Sequence, residues 1–375
     1  MFFTIIVFII TLLVLVVSHE FGHFIAAKKF GIGVLEFGFG LPPRVWGKKW
    51  GETLVSLNLL PLGGFVRLMG EDETDKKVLK NKSSFAVKPV WQRIIVVVAG
   101  VVMNLVLAAV IFYIVLFAQG FKEQIPLLSP YKFAAVDQIN EALVFIGGVT
   151  PDAPADKGGI KSGDQVLKFN ETKVVSGEQL VSLTKDYVGK EVSLTLKSSE
   201  SQERVVKVTP RANPPAGQGA LGVEIGTATV ANLNYETLPQ KLFSGFTHSY
   251  NLTSYSVVVL GSFIRDSFAS RSLTPVSGSL AGPVGITNIA GIILKTESPL
   301  IPYLSFTAMI SLNLAIINIL PFPALDGGRL LFLSIEAIFR RKVKAEVERW
   351  VHTVGMAILL ALIILVTFSD IKKFF

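Results

Sequence analysis

Residues 2–27 read FFTIIVFIITLLVLVVSHEFGHFIAA, an almost unbroken apolar run that carries His19, Glu20 and His23 near its end. A helix of this length spans the ~30 Å hydrocarbon core of a bilayer, so the run is expected to cross a membrane. A cleaved signal peptide is the alternative. Two features oppose it: no Lys or Arg precedes the run, and Ser18-His19-Glu20 stands where a small-residue cleavage site belongs. Lys28 and Lys29 follow directly, which puts the far end of the helix in the cytoplasm and its start outside.

Composition agrees with a membrane chain. Half of the 375 residues are hydrophobic (50%), and the mean hydropathy of +0.54 is too high for a soluble globular domain. The 36 Lys and Arg exceed the 28 Asp and Glu, giving a net charge of +8. In a soluble protein that excess suggests nucleic acid. Here the basic residues crowd 28–93 and 329–349, beside apolar runs, which is the positive-inside pattern, and no nucleic-acid partner is expected. With no cysteine, disulfides and thiolate metal sites are excluded, and a transition-metal site has to be built from His and carboxylate.

Working outward, residues 28–93 hold a Gly-, Pro- and β-branched-rich stretch that reads as a hairpin or small sheet, then a charged loop from Glu71 to Lys88. A second span is expected within 94–120. Residues 121–231 are more polar, with short β-rich runs between turn signals, and form a soluble domain on the outer side. Residues 232–300 mix aromatic with Ser and Thr positions, as in an amphipathic helix at the outer interface. A third span (301–328) ends in Pro321-Phe322-Pro323-Ala324-Leu325-Asp326-Gly327-Gly328, a basic loop (329–350) follows, and a fourth span (351–370) closes the chain. Both termini are thereby expected outside.

On a helix, His-Glu-x-x-His places two imidazoles one turn apart on one face, with the Glu beside a metal they share. His19 and His23 are therefore candidate ligands and Glu20 a candidate general base. Three ionisable residues within five positions of a span are costly and demand a purpose, unless they lie at the headgroups. A catalytic zinc takes three protein ligands. His248 and His352 read as surface or interfacial histidines. Asp326 is better placed, because it follows the third span at the same expected depth, after two helix-breaking prolines and before two glycines.

His19-Glu20-x-x-His23, Asn318-x-x-Pro321-x-Pro323-x-Leu325-Asp326-Gly327 and the domain between them resemble the site-2 protease family of intramembrane metalloproteases, in its bacterial regulator-of-sigma-E protease subgroup. The likeness covers nearly the whole chain. It implies a polytopic α-helical membrane protein with about four transmembrane helices, a membrane-associated β-hairpin and one extracytoplasmic PDZ-like α/β domain. It also implies Zn2+ on His19, His23 and Asp326, water activation by Glu20, and a substrate contact from Asn318. Gly38, Gly40, Gly63 and Gly64 resemble the family's hairpin, which would add substrate as a strand. Leu221, Gly222 and Val223 resemble the carboxylate loop of a PDZ domain, where peptide C-termini are the expected partners. The enteric members have two tandem PDZ domains and this chain accommodates one. The implied activity is hydrolysis of transmembrane segments of single-span proteins, such as anti-sigma factors, or of remnant signal peptides, in the bacterial inner membrane and in contact with lipid. A catalytically silent PDZ scaffold and a metal transporter are the alternatives. The intact motif opposes the first, and the single clustered site without evident repeats opposes the second.

Overall fold

The computed structural model describes residues 2–71, 78, 81–198, 202–272, 281–341 and 343–374. Part of the expected charged loop (72–77 and 79–80), together with Lys342, lies outside the described residues. The chain divides into two compact units, residues 1–118 with 242–375, and residues 119–241.

In the first unit, helix α1 (Phe2–Lys29) leads into strands β1 (Val34–Trp50) and β2 (Thr53–Leu68). A 3-10 turn at Phe85–Val87 precedes helix α2 (Val90–Ala118). Among the described residues, four helices are long and apolar enough to cross a membrane: Phe3–Lys29, Val90–Ala118, Leu300–Ile319 and Glu346–Lys373. These answer the four expected spans.

Helices α1 and α2 cross closely because Gly22 faces the Ala99 carbonyl, where a Cβ would collide with backbone. Small residues at such crossings let helices approach in the absence of a hydrophobic drive between them. Beneath the crossing, Ala26, Ala27, Ile32, Val34, Leu68 and Val96 form a buried cluster that ties the sheet to both helices.

The sheet is more folded than a simple hairpin. Residues 44–50 pair antiparallel with 53–58, and Val34–Phe39 pairs antiparallel with Gly64–Leu68. Between them Glu36–Phe39 climbs alongside Leu54–Leu57, so β1 is paired on both sides through Gly38, whose partners are Phe65 and Ser56. The long strands thus make four rungs, with residues 64–68 at one margin.

The second unit contains β3 (Lys122–Leu127), β4 (Asp137–Val149), a short helix α3 (Pro154–Lys157), β5 (Gln165–Phe169), β6 (Thr172–Lys173), helix α4 (Gly177–Asp186), β7 (Val192–Lys197), β8 (Glu203–Val208) and β9 (Val223–Asn234). Its strands form a sheet in the order β3-β9-β4-β5-β7-β8, with β6 on β5. Val144, Ile146, Val166, Phe169, Leu180, Leu194 and Leu196 build the core, and the strict alternation of β7 shows one face inward. Buried Asp164 is held by Arg204 at 2.5 Å and by the Lys161 N–H at 2.7 Å.

The remaining elements are α5 (Leu238–Leu242), α6 (Ser244–Ser270), α7 (Pro283–Ile293), α8 (Leu300–Ile319), α9 (Asp326–Phe339) and α10 (Ala345–Phe374). The first turns of α6 press on α2, where Gly245 abuts the Ala109 carbonyl and the His248 ring packs 4.9 Å from that of Phe112. His248, expected as a surface or interfacial histidine, is buried, and burial pushes its pKa down to about 4. At the other end of the chain, buried Asp370 of α10 accepts the Gly285 N–H at 2.7 Å. That contact caps the first turn of α7 from a different helix and sets a carboxylate at its positive end.

Gly22→Val would force α1 and α2 apart at their crossing. A loss of about 1–3 kcal/mol, as for overpacked cores, is expected and would appear as a lower midpoint in thermal unfolding in detergent.

Candidate metal centre

Three atoms from two distant parts of the sequence meet at one point. His19 Nε2 lies 2.9 Å from Asp326 Oδ2 and 3.1 Å from His23 Nε2, and His23 Nε2 lies 3.2 Å from the same carboxylate oxygen. Ligand atoms 2.0–2.1 Å from a tetrahedral zinc stand about 3.3 Å from one another, so this spacing suits such an ion. Among the described residues, His19, His23 and Asp326 are the group of His and carboxylate side chains with metal-binding spacing.

The helical spacing of His19 and His23 puts both rings on the face of α1 turned to α2. Gly100 of α2 makes the room, since a Cβ there would run into His23 Nε2 and stand 2.7 Å from His19 Nε2. The far ring nitrogens are also held. His23 Nδ1 donates to the Val96 carbonyl at 2.8 Å, and His19 Nδ1 faces the amide of Asn104 at 3.4 Å. Such outer contacts fix ring orientation in metal sites.

Asp326 arrives at the start of α9, after the chain has turned through Pro321–Leu325. Ala324 takes a left-handed φ of 78°, and Gly327 packs under the Leu320 carbonyl, where no side chain fits. The turn is fastened from α10, because the Ala324 N–H donates to His352 Nδ1 at 2.9 Å and Gly355 lies directly against Pro323. His352, read from the sequence as a surface or interfacial histidine, is half-buried and supports the Asp326 loop. On the same helix Arg329 pairs with Glu71, and Glu336 receives Arg93 of α2 bidentately at 2.5 and 3.1 Å.

Glu20 points to the sheet. Its carboxylate accepts the Val66 backbone N–H, and a Cβ on Gly64 would stand 3.6 Å from Glu20 Cγ. A cavity of about 210 Å³ is lined by His19, Glu20, Asn104, Asn318 and Asp326. Asn318 therefore shares a chamber with the candidate ligands and base.

The four hairpin glycines separate. Gly64 reaches Glu20, and Gly63 precedes it with a φ of 97°. Gly38 lies in a rung paired on both sides and makes space for the Phe65 ring; Gly40 is packed against the Leu60 carbonyl. The margin that meets α1 is accordingly the 64–66 segment of β2, not Gly38 or Gly40.

Leu221, Gly222 and Val223 belong to the second unit. The Leu221 and Gly222 carbonyls accept from Ala155 and Thr150, and the Gly222 N–H is spent on the Gly219 carbonyl. From Val223 to Ala228, β9 pairs with β4 on one side, while β3 covers its other side only from Thr229 onward. That uncovered margin lies beside the start of α4, where Gly177 approaches Ile225 and Thr227.

The description Peptidase family M50 matches residues 7–362. The chain belongs to peptidase family M50. A zinc metalloprotease RasP of Geobacillus kaustophilus is 29% identical, with 99% of this chain and 98% of the relative covered. A putative zinc metalloprotease of Clostridium perfringens is 33% identical over 95% of each, and the regulator of sigma-W protease RasP of Bacillus subtilis is 29% identical over 99% of each. This M50 chain therefore aligns from end to end with relatives named as metalloproteases, which removes the scaffold and transporter alternatives.

His352→Ala deprives the half-buried Ala324 N–H of its acceptor, at a cost of about 0.5–1.5 kcal/mol, the net worth of a typical hydrogen bond. Faster hydrogen exchange in peptides covering 321–328, with little change in the 119–241 unit, is the expected outcome.

Proposed function

We propose that this chain is a zinc-dependent intramembrane endopeptidase that hydrolyses peptide bonds within the transmembrane segments of single-span proteins, anti-sigma factors among them, or of remnant signal peptides. The observation that carries the reading is the convergence of His19 Nε2, His23 Nε2 and Asp326 Oδ2 within 2.9–3.2 Å beside the Glu20 carboxylate. Zinc held by those three atoms supplies Lewis acidity for the scissile carbonyl and makes water a ready proton donor near neutral pH.

The chain's own groups do the rest. Glu20 takes the proton of the attacking water and returns it to the leaving amine, as a general base and then acid. Asn318, on the wall of the same cavity, donates its amide N–H to the reacting carbonyl or the substrate backbone. A helical substrate hides its peptide bonds in its own hydrogen bonds, so it must be opened first. The 64–66 margin of β2 at Glu20 supports opening by strand addition, which lays an extended segment next to the base.

The second unit acts as a PDZ-like module on the extracytoplasmic side. Its uncovered β9 margin beside α4 supports the binding of an extended peptide end. Lys28 and Lys29 and the basic residues of 329–349 support a cytoplasmic placement for those flanks, hence both termini outside, in the bacterial inner membrane.

Glu20→Gln keeps the shape of the site and removes the base. Cleavage of a model single-span substrate in the same membranes should fall by roughly 10²–10⁴, as for loss of a general base. Equal cleavage by wild type and variant would defeat the proposal. Separately, Asp326→Ala protein should lose most of its bound zinc when measured by elemental analysis.

A further inference from the structure

Asn104 stands apart from the other residues of α2. It is fully buried at 0% exposure in an apolar helix, lies one turn beyond Gly100, and lines the cavity shared by His19, Glu20 and Asn318. Polar residues in spans usually serve as interhelical hydrogen-bond partners. Here that task falls to its main chain, because the Ser311 hydroxyl of α8 donates to the Asn104 carbonyl at 2.9 Å. The side chain faces the His19 ring instead, at 3.4 Å from Nδ1.

The chemistry of the ring orders that contact. His19 turns Nε2 toward Asp326 and His23, so a neutral imidazole binding metal through Nε2 carries its proton on Nδ1. The group opposite has to accept. With Nδ2 on that side two donors oppose each other, and Oδ1 is buried with no hydrogen-bond partner. Half a turn of the amide places Oδ1 toward Nδ1, and the two ends of an amide are interchangeable in shape.

We infer that Asn104 is the positioning residue of the His19 ligand: its Oδ1 accepts the Nδ1–H and so locks both the tautomer and the ring plane that aim Nε2 at the metal. The inference rests on the ligand assignment proposed above. His23 has the equivalent support from the Val96 carbonyl at 2.8 Å. Both rings are thus braced from the single helix α2, one by main chain and one by an amide. A backbone carbonyl is fixed by the helix, whereas the amide is a side chain that substitution can remove, which makes this brace testable.

The experiment compares full-length wild type, Asn104→Leu and Asn104→Asp in detergent, reading zinc affinity by competition with a chelator and folding by thermal unfolding. Asn104→Leu should bind zinc about 10–100-fold more weakly, the usual effect of losing a ligand's hydrogen-bond partner. Asn104→Asp, which keeps the acceptor and adds charge to it, should bind at wild-type affinity or tighter. A residue that only filled space would behave otherwise, since a buried carboxylate would then unsettle the helices without aiding the metal. Unchanged affinity in Asn104→Leu overturns the inference. If the Leu variant does not fold, the Asp variant decides: retained or tighter binding supports the brace and weakened binding rejects it. Asp326→Ala run alongside keeps the two readings apart. Zinc retained there rejects the ligand triad and this inference with it, whereas zinc lost there but unaffected by Asn104→Leu rejects the role of Asn104 alone.

Discussion

Holding His19, His23 and Asp326 together inside apolar helices is the constraint to which the rest of the first unit answers. Hydrocarbon does not solvate such groups, and each left without a partner costs several kcal/mol. The helices therefore supply partners from close range. Gly22 and Gly100 bring α1 and α2 near enough for the Val96 carbonyl and the Asn104 amide to reach the two rings. The same proximity leaves space only for the rings and what they bind. Packing and polar satisfaction are here one requirement, met by a small residue on each of the two helices.

The carboxylate comes by a different route, on a turn rather than a helix face. Two prolines end α8, a left-handed residue reverses the chain, and α9 begins at Asp326 itself. A turn at this depth has main-chain groups to satisfy. One of them is satisfied from α10 by His352, while Arg329 and Glu336 of α9 carry the ion pairs to Glu71 and Arg93 that anchor the helix behind it. On the opposite flank of α1, the Val66 N–H reaches the Glu20 carboxylate. The sheet margin and the Glu20 carboxylate are thus neighbours, and a strand added along residues 64–66 would lie beside that carboxylate.

Much of this was legible in the sequence because the decisive patterns are local. The spacing of His19 and His23, the proline-rich turn before Asp326 and the four apolar runs each fix a structure within a few residues. The β-rich run 121–231 likewise yields a sheet domain. What stayed hidden depends on long-range register. Gly38 and Gly40 lie in a glycine-rich stretch that looks like an open edge, yet β1 is covered on both sides at Gly38 once residues 53–57 and 64–68 fold onto it. His248 and His352 are lone histidines in mixed sequence, and nothing nearby reveals that α2 or the 321–325 turn will bury or engage them. Asn104 is one amide in an apolar helix. Its neighbour His19 is 85 positions away in the chain, and only the helix crossing brings them together.

Helix α10 belongs to the bundle in an unusual way. His352 and Gly355 fasten one end to the 323–324 turn, Asp370 fastens the other to α7, and between them Ile358, Leu360, Leu362, Ile364 and Leu365 face outward. Its middle is an exposed apolar surface of the length and character of a membrane span. The turn that presents Asp326 is therefore steadied by a helix whose apolar middle stays exposed, so any tilt of α10 would be passed to the candidate metal site through two small polar joints.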